Sequence, residues 1–132
     1  MTASTSNSGY SFSIPVAPVP AARPRVAKFG TYYPRTYATY RKDAHLWASK
    51  ADLRKHLGDL DVELEVIGKR PRTTILTAPN GDVDNFAKAA LDVLNDRAWG
   101  DDKQIRRLVV TKRFAEPGEE PRTDVTISEW KE

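Results

Sequence analysis

The stretch GDVDNFAKAALDVLNDRAWGDDKQI, residues 81–105, decides how this chain folds. Phe86, Ala87, Ala90, Leu91 and Leu94 recur at the rhythm of a helix with one apolar face, which predicts a short helix over 84–96. Strand patterns flank it. Upstream, Val62, Leu64 and Val66 alternate with Asp61, Glu63 and Glu65, as in a half-exposed strand. Residues 73–77 read as another strand, ending at the Pro79-Asn80-Gly81 turn. Downstream, 105–113 and 123–130 read as the last two strands, joined by a loop over 116–121.

The N-terminal part extends the same order. Tyr10, Phe12, Ile14 and Val16 alternate with Ser11, Ser13 and Pro15, a strand whose proline favours the end or edge of a sheet. Pro18, Pro20 and Pro24 hold an extended segment ending in Arg23-Pro24-Arg25, and Gly30 and Pro34 bracket a turn. Residues 36–57 read as a helix closed by Gly58. It carries two apolar stripes: Tyr40, Ala44, Trp47 and Ala51, then Leu46, Leu53 and Leu57. A helix in a single domain needs only one such face, so the leucines are a candidate surface for a second copy. The order β-α-β-β-α-β-β predicts an α/β (α+β) fold with a mixed sheet and two main helices. It occupies one domain over 9–132, behind a disordered tail over 1–8.

Composition bounds the function. At 132 residues, 39% apolar and 30% charged, the chain suits one modest globular core. It has no Cys, which excludes disulfides and thiolate zinc sites. No apolar run approaches the roughly 20 residues that span a bilayer, and residues 1–8 lack the core of a signal peptide. The expectation is a cytoplasmic bacterial or viral protein with no membrane partner. Net charge is only +3, but residues 1–56 hold nine Lys/Arg against two Asp/Glu, and residues 57–132 hold twelve against sixteen. A basic half joined to an acidic half suits a surface that grips a polyanion beside a metal site that cuts it. Chance asymmetry of a solvated surface is the competing reading.

The chemistry gathers around the central helix. Asp84, Lys88 and Asp92, four residues apart, form a column on it, with Asp82 just before and Asp101-Asp102 after, where the chain returns. That return can bring one of the Asp101-Asp102 pair beside the first carboxylates. Hard oxygen ligands without nearby His or Cys favour Mg²⁺ or Mn²⁺. Taken singly, Asp82 or Asp84 could cap the helix, the column could be i,i+4 ion pairs, and Asp101-Asp102 could be turn residues. None of these explains two acidic pairs bracketing a helix and a lysine. A calcium loop of the EF-hand type fails, because its ligand and glycine positions hold Phe86, Ala87 and Val93.

Four motifs in order resemble the RusA family of Holliday-junction resolvases, endonucleases of bacteria, prophages and phages. They are Pro18-x-Pro20-x-x-Arg23-Pro24-Arg25 with Gly30-x-Tyr32-Tyr33-Pro34, then Gly81-Asp82-Val83-Asp84-Asn85-Phe86-x-Lys88, Leu91-Asp92-x-Leu94-Asn95, and Asp101-Asp102-x-Gln104-Ile105. The resemblance implies a two-fold homodimer that nicks four-way DNA junctions symmetrically with Mg²⁺. It implies metal-binding carboxylates at Asp82, Asp84 and Asp102 and a catalytic lysine at Lys88. Gly81 stands where some members carry a basic residue.

Arg23, Arg25, Lys28 and Arg35, with Tyr32 and Tyr33 among them, resemble a phosphate-gripping strip with stacking rings, and Asn85 joins them as a candidate DNA contact. Packing around Pro34 is the competing role for the tyrosines. His45 and His56 read as surface residues, Trp47 as core or dimer interface, Trp99 as support behind the acidic loop, and Trp130 as packing at the end of the last strand. Two other functions compete: a flap or branched-DNA endonuclease without junction selectivity, and a junction-binding protein without catalysis.

Overall fold

The computed structural model describes residues 9–132, so the expected tail over 1–8 lies outside the described residues. The elements are β1 (Tyr10–Ile14), β2 (Arg25–Ala27), β3 (Gly30–Tyr32), α1 (Arg35–Lys50), β4 (Leu60–Gly68), α2 (Val83–Leu94), β5 (Ile105–Phe114) and β6 (Arg122–Glu129). A single 3-10 turn, Asp102–Gln104, precedes β5. Alternation makes β4 the spine: Leu60, Val62, Leu64 and Val66 are at most 1% exposed, while Glu63 faces solvent. The four-stranded sheet runs β1-β6-β4-β5, with β4 parallel to β5 and the other neighbours antiparallel. The mixed α+β architecture read from the element order is therefore the one observed. β1 lies at the edge and ends just before Pro15, where a missing N–H costs no ladder bond.

A parallel pair needs a crossover, and α2 supplies it between β4 and β5. Phe86, Ala87, Ala90, Val93 and Leu94 are buried in the core with Tyr37, Tyr40, Ala44 and Ala48 of α1. Among the described residues no helix is long and apolar enough to cross a membrane.

Four expectations are corrected. First, α1 stops at Lys50, well short of Gly58, because the following backbone is used elsewhere. Ala51 is already extended (φ −74°, ψ 137°), and the His56 N–H donates to the Ala98 carbonyl at 2.8 Å. The leucine stripe dissolves with it: Leu46 is on the helix, Leu57 is 85% exposed beyond it, and Leu53 packs on the core. Second, residues 73–77 form no strand. β4 already has β5 and β6 on its two edges, and the Thr74 hydroxyl accepts the Leu76 N–H at 3.0 Å in a local turn. Third, the turn expected between Gly30 and Pro34 is a small β2–β3 hairpin that turns earlier, at Lys28-Phe29. Fourth, His45 and His56 are half-buried. The His56 ring packs on Tyr10, and burial together with Arg41 and Arg97 holds the His45 pKa below its usual range.

On the far side of the sheet an ion-pair chain ties four strands. Arg113 donates to Glu65 at 3.1 Å and to both Glu119 oxygens at 2.7 Å; Arg122 bridges Glu119 and Asp124; Ser13 donates to Asp124 at 2.6 Å. The Arg113 guanidinium, the Glu116 N–H and Arg122 hold the Glu119 carboxyl at about 2, against 4.5 for a free one. A depressed carboxylate stabilises the fold above its unfolded pKa and loses that contribution as pH falls through the folded value. Chemical-denaturation midpoints should therefore drop between pH 4.5 and about 2 more steeply in the native protein than in Glu119→Gln. Parallel acid limbs would contradict this.

Candidate active site

The head of α2 is set by a turn that two neighbours clamp. Lys112 of β5 donates to the Pro79 carbonyl at 2.9 Å and the Gly81 carbonyl at 2.5 Å. Gly81 has φ +128°, and a Cβ there would sit 3.0 Å from the Phe86 ring and 3.1 Å from Pro20. No basic side chain fits this position without strain. Asp82 then takes the N-cap position, yet its side chain makes no capping bond. Asp82, Asp84 and Lys88 have no ion-pair partner among the described residues, while Asp92 meets Arg41 of α1 at 3.7 Å. The i,i+4 ion-pair explanation of the column fails on that point.

The return loop is held more tightly. Trp99 is fully buried, and its indole N–H donates to Asp102 Oδ1 at 2.7 Å. Gln104 uses its whole amide. Its Oε1 accepts from the Gly100 and Asp101 N–H groups at 2.8 and 3.0 Å, and its Nε2 donates to the His56 and Gly58 carbonyls at 3.1 and 2.8 Å. Asp101, itself exposed, caps the 3-10 turn, accepting the Lys103 N–H at 2.8 Å. The two aspartates thus divide the work: Asp101 is a cap, and Asp102 is the one that lines the groove.

That groove lies between α2 and β5. Asp84, Lys88, Asp92 and Asp102 line it above an apolar floor of Val83, Ala87, Leu91, Leu108 and Val110. Asp82 lies outside the lining. Among the described residues no three acidic or histidine side chains converge closely enough to form a ready-made metal shell. The donor chemistry nonetheless fits a hard divalent ion. Asp82 and Asp84 are exposed with no bonded donor among the described residues, and only one oxygen of Asp102 is committed.

The sequence matches the family model for endodeoxyribonuclease RusA over residues 15–128 of 132. The chain belongs to the RusA family. No curated protein matches the sequence.

The other expected residues do not line this groove, and Arg35 lines a separate hollow with Val16, Val19 and Tyr40. The Ala21 N–H donates to the Asn85 carbonyl at 2.9 Å, fastening the proline-rich segment to the first turn of α2; the Asn85 side chain is half-buried. Arg23, Arg25, Lys28 and Arg35 are all exposed. Tyr33 is half-buried, edge-on to Tyr37 at 5.2 Å and covered by the Arg41 guanidinium at 4.8 Å, so its ring packs as the competing reading of the tyrosines expected. Trp99 stands behind the acidic loop as expected, and Trp47 packs on the core and on Phe12 at 6.2 Å. Sequence reading assigned no role to Gln104, although it stands inside the fourth motif, and none to Lys112, which carries no local signal.

The Gln104 amide yields a direct test. Gln104→Glu is nearly isosteric but turns two donors into acceptors facing the His56 and Gly58 carbonyls. It should lower stability by about 1–3 kcal/mol in urea denaturation at neutral pH. An unchanged midpoint would mean the clamp does not hold the loop.

Proposed function

We propose that the chain is a divalent-metal-dependent endodeoxyribonuclease that resolves four-way (Holliday) junctions by paired symmetric nicks in DNA recombination and repair, working as a two-fold homodimer. The observation that carries this reading is the shared groove, where Asp84, Lys88 and Asp102 line one wall-to-wall cleft in a chain of the RusA family. Asp84 and Asp102, with Asp82 at the head of α2, would hold Mg²⁺ or Mn²⁺. What such an ion supplies when bound is polarisation of the scissile phosphate and a more acidic water.

The chain's own residues do the rest. Trp99 fixes the Asp102 carboxylate so that one oxygen remains available to the groove. Lys88, exposed and without a carboxylate partner, brings positive charge to the non-bridging oxygens as the phosphorane-like transition state forms. Arg23, Arg25, Lys28 and Arg35 grip the flanking phosphates, with Tyr33 and Asn85 at the base of that strip. A four-way junction has two-fold symmetry, and a two-fold dimer presents two such grooves in the matching relation.

The deciding experiment maps cleavage of both strands of a mobile four-way junction with and without Mg²⁺, beside three-way and flap substrates. Paired symmetric nicks, only with metal and only on the four-way substrate, are expected. Lys88→Ala should slow cleavage by roughly 10²–10³-fold with little loss of binding. Asp84→Asn should abolish cleavage and leave binding equal or tighter, since it removes negative charge near the DNA. Loss of binding in Lys88→Ala, with bound junctions cut at the normal rate, would refute the lysine's role. Equal cutting of flaps would refute junction selectivity.

A further inference from the structure

We propose that the β2–β3 hairpin is a wedge: Phe29 at its apex inserts between bases at the branch point of the DNA, while Arg25 and Lys28 hold the phosphates on either side. The inference rests on the branched-DNA reading above and names the part of the substrate that this hairpin meets.

Backbone pairing fixes the apex. Arg25 pairs with Tyr32, Val26 with Thr31 and Ala27 with Gly30, which leaves Lys28 and Phe29 as a two-residue loop. Gly30 closes it at φ +126°, a conformation that glycine adopts without strain. Loop tips of this kind normally carry small polar residues. Here Phe29 is 80% exposed and neighbouring Val26 84%, so folding gains almost nothing from either. The Phe29 ring lies 5.5 Å from that of Tyr32, which gives the tip a paired aromatic surface. An exposed apolar tip of this kind marks a contact with something else.

Charge says what that contact is. No Asp or Glu occurs before Asp43, and Arg23, Arg25, Lys28 and Arg35 have no ion-pair partner among the described residues. Two such hairpins would repel each other, so a second copy is a poor occupant, whereas a polyanion suits both features together. A two-stranded ribbon fits a DNA groove, and apolar side chains are used to part base steps. Parting them costs least where stacking is already interrupted, at a branch. The segment leading into the hairpin is fastened to the first turn of α2 by the Ala21–Asn85 bond, and the segment leaving it is fastened to α1 by Tyr33 on Tyr37.

The test uses four-way junctions with 2-aminopurine at the branch point, and unbranched duplexes with the same base internally, bound by the full chain in EDTA so that nothing is cut. Fluorescence should rise on the junction and stay flat on the duplex. Phe29→Ala should lose the rise and bind on the order of tenfold more weakly, while Phe29→Leu, still an apolar wedge, should keep most of the rise. Arg25→Ala with Lys28→Ala should weaken binding yet retain the rise at saturation. A rise that survives Phe29→Ala, or a native protein that gives no rise at any concentration, overturns the proposal. So does sedimentation showing that Phe29→Ala turns a DNA-free dimer into monomers, which would make the apex a contact between copies. Cleavage without a rise removes only the wedge; a rise lost in Phe29→Ala, with no cleavage in Mg²⁺, removes only the nuclease reading.

Discussion

A buried indole has one polar atom, and it can only donate. Trp99 is fully enclosed between the end of α2 and the segment after α1, and the acceptor its N–H finds is Asp102 Oδ1. Leaving that donor unmet would cost on the order of 1–3 kcal/mol, a large share of a small domain's stability. The fold therefore keeps Asp102 where it is for its own reasons, before any substrate arrives. Gln104 reinforces the arrangement by filling all four of its hydrogen-bonding positions with backbone groups from two separate loops. The carboxylate at the end of the groove is thus carried by the tightest polar packing in its surroundings, although the carboxylate itself is solvent-exposed.

The other wall of the groove is built on different physics. Asp82 and Asp84 stand at the head of a helix, where the macrodipole and free N–H groups already favour negative charge. That lowers the cost of holding carboxylates without cations, and it leaves Lys88, one turn on, unneutralised. The turn ahead of Asp82 is fixed from beneath by Lys112 and from above by the close packing of Gly81 against Phe86 and Pro20. Pro20 belongs to the segment that leads into the basic hairpin. The acidic and basic halves of the sequence are therefore joined mechanically at Asn85 and Gly81.

What was legible in the sequence follows the range of the interaction. Helix and strand periods are local, and they placed α2, β1, β4, β5 and β6 within a few residues. The acidic motif is local too, and Asp84, Lys88 and Asp102 do line one groove. The errors came where long-range bonds outcompeted local preference. Residues 51–58 keep a helical pattern, yet their backbone is taken by Ala98 and Gln104. Residues 73–77 have strand composition, but both edges of β4 are filled by segments far away in sequence. The choice between Asp101 and Asp102, where only the family resemblance pointed to Asp102, could not be read from spacing for the same reason. It turns on which of two adjacent side chains meets a buried indole and which caps a 3-10 turn.

The unclosed acidic site and the exposed apolar hairpin tip share one logic. Both are arrangements that the chain does not satisfy alone: Asp84 and Asp102 without an ion-pair partner in the groove among the described residues, and Phe29 and Val26 without cover on the hairpin. Stability would be served by neutralising the first and by a polar replacement at the second. The core draws on neither the groove carboxylates nor the hairpin tip: it is built from Ile14 of β1, from β4 and β6, from the buried faces of the two helices, and from Ala98 and Trp99. A polyanion with its counter-ions is the class of ligand that would meet both features, and this is the reading proposed above.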